Sequence, residues 1–171
     1  KNEDTAVELN TNLLENGDYI VTAVGPSYGS NEVQLVSSYL KTHSSSNSHF
    51  GLKVLNGFID ESSVDIFVNN QLAFEDLKYS QYSSYLMIDA VFQNIVVRDH
   101  FSGDELGVYT VNLNNNGGET GVLVLSGKFE RDYANLKLIN PTGSAINVVE
   151  MNLEATGGNE NQNEERRDIT E

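Results

Sequence analysis

The 171-residue chain contains no cysteine, no tryptophan and only two prolines, and it has 10 Lys and Arg residues against 25 Asp and Glu. Without cysteine it can form neither disulfide bonds nor zinc–thiolate sites, and it has no thiol nucleophile. The net charge of −15 argues against nucleic acid and anionic membrane surfaces as partners, because both would repel the chain. No apolar run approaches the ~18 residues of a membrane span, so we expect no membrane insertion.

The clearest pattern is in residues 52–74, LKVLNGFIDESSVDIFVNNQLAF. Within it, residues 64–69 alternate between two sets of side chains, which is the period of a strand with two unlike faces. Asn69 and Asn70 follow this strand and precede a second apolar run. Because Asn tolerates positive φ, the pair predicts a two-residue hairpin turn.

Short strand patterns recur at roughly ten-residue spacing, with almost no helical periodicity. Turn signals such as Asn56-Gly57 and Asn69-Asn70 separate them. The predicted central strands are 50–56, 63–69, 71–77, 82–88, 91–98, 106–113, 121–126 and 133–140. This pattern predicts an all-β fold, an antiparallel immunoglobulin-like β-sandwich with additional N-terminal strands.

The N-terminal part carries three further strand candidates, at 6–11, 18–25 and 32–40. Its sequence GDYIVTAVG resembles GETGVLVLSGK of residues 118–128, and a strand follows in both places. We interpret the N-terminal part as a partial repeat. It lies near the ~40-residue limit for independent folding, so it must complete or extend a sheet elsewhere.

Five segments follow from these patterns. They are a three-strand partial repeat at 1–41, a polar linker at 42–48, the sandwich at 49–144, a C-terminal strand at 145–154 and a polar acidic tail at 155–171.

The run VDIFVNN from Val64 to Asn70, tyrosines at 79 and 85, and Gly127 after an apolar strand occur in the order of one family's motifs. On these residues the central block, about 50–140, resembles domain-of-unknown-function family 4397. The repeats of that family recur in secreted and envelope proteins of bacteria and archaea.

The block departs from the family pattern where Asn56-Gly57 replaces a His-Ala pair and where Asp60-Glu61 lacks the accompanying prolines. The resemblance implies an immunoglobulin-like sandwich in an extracellular or cell-envelope location. It implies no known activity.

Three groups of residues are candidates for chemistry. His43, His49 and His100 fall in predicted loops without metal-ligand spacing, and we interpret them as surface histidines. Asp99, Asp104 and Glu105 share one loop, which is either a Ca²⁺ site or a solvated acidic turn. No residues at a workable spacing indicate an enzyme, and no cofactor is expected apart from that Ca²⁺ alternative.

Tyr79, Tyr82 and Tyr85 repeat every three residues. Exposed tyrosines could form a platform for sugars, but such platforms usually have tryptophan. Packing in the core, with each hydroxyl bonded to a backbone partner, is the commoner arrangement.

The terminal strands have one apolar face each and could complete their own sheet or add to a neighbouring subunit's edge. The candidate subunit-contact residues are Val7, Leu9, Ile146, Val148, Val149, Met151 and Leu153.

Two functions from different classes fit the sequence. The first is a secreted, non-enzymatic structural subunit of a filament, matrix or surface layer, assembled as a homo-oligomer by strand complementation. The alternative is a monomeric envelope module that binds a glycan or protein through loops such as 99–105 and 114–119.

Overall fold

The computed structural model describes residues 9, 11, 13, 15–25, 33–60, 63–128 and 134–151. Over these residues the chain is all-β and contains no helix, and therefore no helix that could cross a membrane. The strands are β1 (Asp18–Val24), β2 (Gln34–Leu40), β3 (His49–Phe58), β4 (Ser63–Val68), β5 (Gln71–Lys78), β6 (Leu86–Asp89), β7 (Phe92–Asp99), β8 (Glu105–Asn112), β9 (Thr120–Gly127), β10 (Asn135–Ile139), β11 (Ala145–Ile146) and β12 (Val148–Glu150).

Ten of these strands form two five-stranded sheets. The first sheet has the order β11-β10-β9-β3-β6, and the second sheet has the order β12-β8-β7-β4-β5. β1 and β2 pair only with each other, as a separate hairpin. Strand pairing is antiparallel except between β3 and β9, which run parallel. The predicted all-β sandwich with additional N-terminal strands is confirmed.

The core lies between the two sheets because each strand alternates in the way its sequence predicts. On β4, Val64 and Ile66 are fully buried and Val68 nearly so. They meet side chains from the first sheet, including Leu52 and Leu123. Burial of such aliphatic side chains is the main stabilising contribution, at about 1.5–3 kcal/mol each.

The predicted turn at Asn69-Asn70 is confirmed. The two residues have φ of 48° and 65° and join β4 to β5. Positive φ at both central residues matches the right-handed twist of the flanking strands, and Asn is among the few non-glycine residues that accept it.

The prediction of a turn at Asn56-Gly57 is wrong, because both residues lie inside β3 and are buried. Asn56 donates from its side-chain amide to Leu77 O at 3.0 Å, and its side-chain oxygen accepts from Phe58 N at 3.1 Å. A Cβ at position 57 would lie 2.6 Å from Leu125 O on the parallel strand. Glycine is required here for close strand approach and not for a turn.

The predicted C-terminal strand is divided between the two sheets. Ile146 pairs with Leu138 in the first sheet, and Val148 pairs with Val111 in the second. The chain therefore crosses between the sheets at Asn147. Residues 152–154 of that prediction lie outside the described part of the chain.

The predicted N-terminal strand at 6–11 is not present at the two positions that the structure describes. Leu9 and Thr11 belong to no strand, and the other four positions lie outside the described residues. The predictions at 18–25 and 32–40 correspond to β1 and β2.

Candidate functional site: the docking face of the N-terminal hairpin

The β1–β2 hairpin lies on the outer face of the first sheet and forms a third layer there. A small apolar cluster joins the layers, with Leu40 from β2 packed between Leu55 of β3 and Val122 of β9. Ile20 and Val36 are partly buried against the same cluster. The hairpin is therefore attached by side chains and not by a shared backbone ladder.

The three regularly spaced tyrosines all bond to the hairpin or to its end. Tyr79 donates to Gly25 O, the hydroxyls of Tyr82 and Thr22 lie 2.7 Å apart, and Tyr85 accepts from Lys41 N at 3.2 Å. Burial raises the pKa of all three phenols. The three tyrosines are partly buried between the layers and not in the core, and two of the three hydroxyls have a backbone partner, so the predicted packing is confirmed only in part.

Lys53 lies beneath the hairpin as a buried cation, with 8% of its surface exposed. Its ammonium donates to Ser38 Oγ at 2.5 Å and to Tyr39 O at 3.3 Å, and it lies 4.8 Å from the centroid of the Tyr85 ring. Burial, with a smaller effect of nearby Lys41, lowers the pKa of Lys53. Ring faces and hairpin oxygens therefore stabilise this charge in place of water.

The connector Lys41–Ser48 links the hairpin to β3 and includes residues 42–48, the part predicted as a polar linker. Lys41 O accepts from the Thr120 hydroxyl, and Ser44 N donates to Gly118 O at 2.8 Å. The connector is thus held against the start of β9.

Four of the five candidate contact residues at the C-terminus are described, and they lie at the sheet margins of the same molecule. Ile146 and Val148 are paired within the two sheets, Val149 lies opposite Thr110, and Met151 N donates to Val108 O at 2.8 Å. Val149 and Met151 remain 50% and 41% exposed. At the N-terminus Leu9 is partly buried, whereas Val7, like Leu153, lies outside the described residues.

A charged cluster that the sequence did not indicate lies at one end of the second sheet. His100 Nδ1 lies 2.9 Å from Asp65 Oδ1, and its Nε2 lies 3.6 Å from Asp76 Oδ1. Asp76 Oδ1 also accepts from Ser63 Oγ at 2.5 Å and from Lys78 Nζ at 2.6 Å. These residues are up to 37 positions apart, and only a sheet register could bring them together.

The cluster combines Ser, His and Asp without the geometry of a catalytic triad. The Ser63 hydroxyl donates to Asp76, and both ring nitrogens of His100 face carboxylates. A base for a serine nucleophile would need one of those nitrogens. The arrangement binds a loop to a strand and leaves no activated hydroxyl.

A second serine pattern, G-x-S-x-G, occurs at 25–29 and is the kind of signal that indicates a nucleophile elbow. An elbow requires a turn from a strand into a helix. Here β1 precedes the motif, and the next described element is the strand β2. Residues 26–29 themselves lie outside the described residues.

The acidic loop at 99–105 forms its own internal contacts. Asp99 Oδ1 accepts from Phe101 N at 3.0 Å and from Ser102 N at 2.6 Å, and Glu105 lies 3.9 Å from Arg98. Within the described residues no group of three or more His, Cys, Asp or Glu side chains is arranged to hold a metal ion. The Asp99 carboxylate therefore caps the turn, and the Glu105 carboxylate lies near a cation.

The other two histidines lie elsewhere. His49 begins β3, where its Nε2 lies 3.4 Å from Asp89 Oδ1, so the prediction that His49 falls in a loop is wrong. His43 lies in the connector.

The two loops predicted to bind a ligand lie at opposite ends of the sandwich. Loop 99–105 leads into β8, and loop 114–119 follows the end of that strand. Eight residues of β8 separate them, which is about 26 Å at ~3.3 Å per residue. The two loops cannot form one binding surface.

A scan against models of known protein families and a search of curated proteins each find no match to this chain. The resemblance of residues 50–140 to a domain family stays a prediction.

Proposed function

We propose that this protein is a non-enzymatic structural subunit of an extracellular filament, matrix or surface layer, and that its copies assemble by exchanging β-strands. The exchanged element is the β1–β2 hairpin. The observation that carries the proposal is that this hairpin belongs to neither sheet and has no backbone pairing with the sandwich among the described residues.

The docking contacts are suited to exchange because another copy could form each of them equally well. Three tyrosine hydroxyls, one buried lysine and a small apolar cluster hold the hairpin. A two-stranded hairpin is marginally stable alone, so an undocked hairpin needs a sandwich to cover it. The eight-residue connector Lys41–Ser48 would be the hinge of such an exchange.

An extracellular location is supported by the acidic, cysteine-free composition and by the family resemblance. A non-enzymatic role is supported by the serine, histidine and carboxylate geometry at Ser63 and His100, which activates no nucleophile.

Two single-cysteine variants test the exchange, because the natural chain has no cysteine to interfere. A Cβ at position 25 would lie 3.9 Å from Cγ2 of Ile59, within reach of a disulfide after substitution of both residues. Gly25→Cys and Ile59→Cys proteins are purified separately, unfolded and refolded together, oxidised and run on a non-reducing gel.

Exchange predicts a covalent heterodimer in the mixture and none in either variant alone. The double variant G25C/I59C is the positive control for the geometry. If it oxidises within a monomer while the mixture yields no heterodimer, the hairpin docks only on its own sandwich and the proposal fails. Negative-stain microscopy of the natural protein shows whether assemblies reach filament length.

The alternative function, a monomeric binding module, is favoured by one specific feature. Phe101 at the tip of loop 99–105 is 74% exposed, the most exposed large apolar side chain among the described residues. A Phe101→Ala variant that loses saturable binding on a glycan array, with the natural protein monomeric, would support this alternative.

A further inference from the structure

The two outer faces of the sandwich differ in what covers them. The β1–β2 hairpin packs on the outer face of the first sheet. On the outer face of the second sheet no described element packs in this way, and apolar side chains there remain exposed.

Five apolar side chains on this open face form a row that crosses β5, β4, β7 and β8 and ends one residue past β12. The strand registers place Leu72 opposite Phe67, Phe67 opposite Val96, and Val96 opposite Val108, and Met151 N donates to Val108 O. The outward direction follows from the alternation, since Ile66, Ile95 and Val97 next to them point into the core. We call this set the apolar row: Leu72, Phe67, Val96, Val108 and Met151.

The two ends of the apolar row are exposed to solvent. Leu72 is 49% exposed and Met151 is 41% exposed, while Val96 at the centre is 8% exposed. The Arg98 guanidinium lies over the Phe67 ring, 5.0 Å from its centroid, so the exposed apolar area is greatest at the two ends of the row. Exposed apolar patches on a sheet face are typical of surfaces that become covered by another protein.

The rows on either side have little unpaired charge, although the chain carries a net charge of −15. On one side Arg98 lies 3.9 Å from Glu105, and Asp65 is paired with His100. On the other side the register places Asn94 opposite Thr110, and both are uncharged. Two copies of this acidic protein would meet little like-charge repulsion through this face.

The size of the face is sufficient for pairing. The strands are about 4.8 Å apart; four of them are roughly 20–26 Å long, and β12, with three residues, is about 10 Å long. The face therefore presents roughly 500 Å² per copy, and a face-to-face pair would bury on the order of 1,000 Å². That value reaches the lower limit for a specific interface.

We propose that the outer face of the second sheet pairs with the same face of a second copy, around a two-fold axis that runs along the apolar row. This axis places each charged row against the uncharged row of the partner. An axis along the strands would instead place Arg98 against its own copy, with like charges opposed.

The pairing does not depend on hairpin exchange, but its extension into a filament rests on the proposed function. The hairpin docks on the opposite side of the sandwich. Reciprocal exchange of the hairpin between two copies is itself a two-fold contact, and two two-fold contacts on opposite faces continue from subunit to subunit as an open chain.

The first test replaces both ends of the row in the full chain with lysine. The L72K/M151K variant should associate at least about tenfold more weakly than the natural protein in sedimentation equilibrium, because it would bury like charges at the axis. The matched control is V21K, since Val21 is 53% exposed but lies on the hairpin. Added positive charge lowers the overall repulsion between copies in both variants. A loss of association that occurs only in L72K/M151K therefore shows that the outer face of the second sheet forms the contact.

A second test determines the orientation of the axis. If the axis runs along the row, position 72 faces position 72 of the partner, so L72K mixed with L72E should form heterodimers. If it runs along the strands, L72K should pair with M151E instead, and the proposed geometry is wrong. Association of L72K/M151K equal to that of the natural protein, or a natural protein that stays monomeric at high concentration, overturns the pairing itself.

The two proposals fail separately. The mixed Gly25→Cys and Ile59→Cys experiment reports hairpin exchange in the L72K/M151K background as well. If the cross-link still forms in the L72K/M151K background while the molecular mass in sedimentation equilibrium falls, both contacts are supported. If no cross-link forms while the molecular mass in sedimentation equilibrium still depends on residues 72 and 151, only the face pairing is supported.

Discussion

The hydroxyl oxygens of Tyr82 and Thr22 lie 2.7 Å apart, across the boundary between the sandwich and the N-terminal hairpin. Sixty positions separate these residues in the chain. Their hydrogen bond, with those of Tyr79 and Tyr85, gives the hairpin a fixed position on the first sheet. The same three bonds must form wherever the hairpin docks, in its own subunit or in another.

Substitution Tyr82→Phe should loosen the hairpin and leave the sandwich intact. It removes one partly buried hydrogen bond, which contributes roughly 0.5–1.5 kcal/mol. Hydrogen exchange should show faster exchange of β1 and β2 amides and unchanged protection in β4 and β7. Tyr39→Phe is the matched control, because Tyr39 is 49% exposed on the hairpin's outer side. Equal loss of protection in all strands would show that the hairpin is not a separate unit.

Substitution Gly57→Ala should destabilise the whole sandwich by about 1–3 kcal/mol. A Cβ there would lie 2.6 Å from Leu125 O, and that carbonyl belongs to a central strand that cannot easily move. Urea denaturation measures the loss. Gly25→Ala is the control, since its nearest neighbour would lie at 3.9 Å, an ordinary contact. An unchanged midpoint for Gly57→Ala would mean that β3 and β9 separate more readily than their register indicates.

Substitution Tyr109→Phe should stabilise the protein, by about 1 kcal/mol. Tyr109 is 2% exposed, and its hydroxyl has no hydrogen-bond partner among the described residues. Burial raises the pKa of this phenol to about 12. Removing an unpaired buried hydroxyl relieves its desolvation cost. Thermal unfolding should therefore shift upward for Tyr109→Phe and not for Tyr82→Phe, and a downward shift for Tyr109→Phe would contradict the unpaired state.

Stability should depend on pH through the cluster of His100 and Asp76. The Asp65 carboxylate raises the pKa of His100. The stabilisation from His100 is therefore complete below pH 6.5 and is lost as the pH rises through the raised pKa. Hydrogen bonds from Lys78 and Ser63 lower the pKa of Asp76. The stabilisation from Asp76 is therefore present above pH 3.8 and is lost as the pH falls through the lowered pKa. The cluster therefore stabilises most between about 4 and 6.5.

His100→Gln should reduce the decline in unfolding free energy between pH 6 and 8, measured by urea denaturation at fixed salt. His43→Gln, in the connector, serves as the control substitution. An identical decline in the natural protein and in His100→Gln would assign the pH dependence to other groups.

The alternation of residues 64–69 and the Asn69-Asn70 turn could be predicted because both depend on neighbouring residues alone. The Asn56-Gly57 prediction was wrong because the conformation of this pair depends on residues that are distant in the chain. The pair has the local preference of a turn, but the parallel approach of β3 and β9 and the Asn56 amide bonds keep it inside a strand. Local preference is a weak constraint when a buried position requires the absence of a side chain.

The sequence by itself determined that this protein is all-β, where most central strands lie, and which side chains enter the core, since these follow from residue order and a period of two. Only the tertiary structure decided that the three tyrosines hold a hairpin, that His100 meets Asp65 and Asp76, and that the apolar row crosses the second sheet. Each of these depends on strand register and sheet order, which join residues far apart in the chain. The periodicity of the sequence does not indicate which of these distant residues meet.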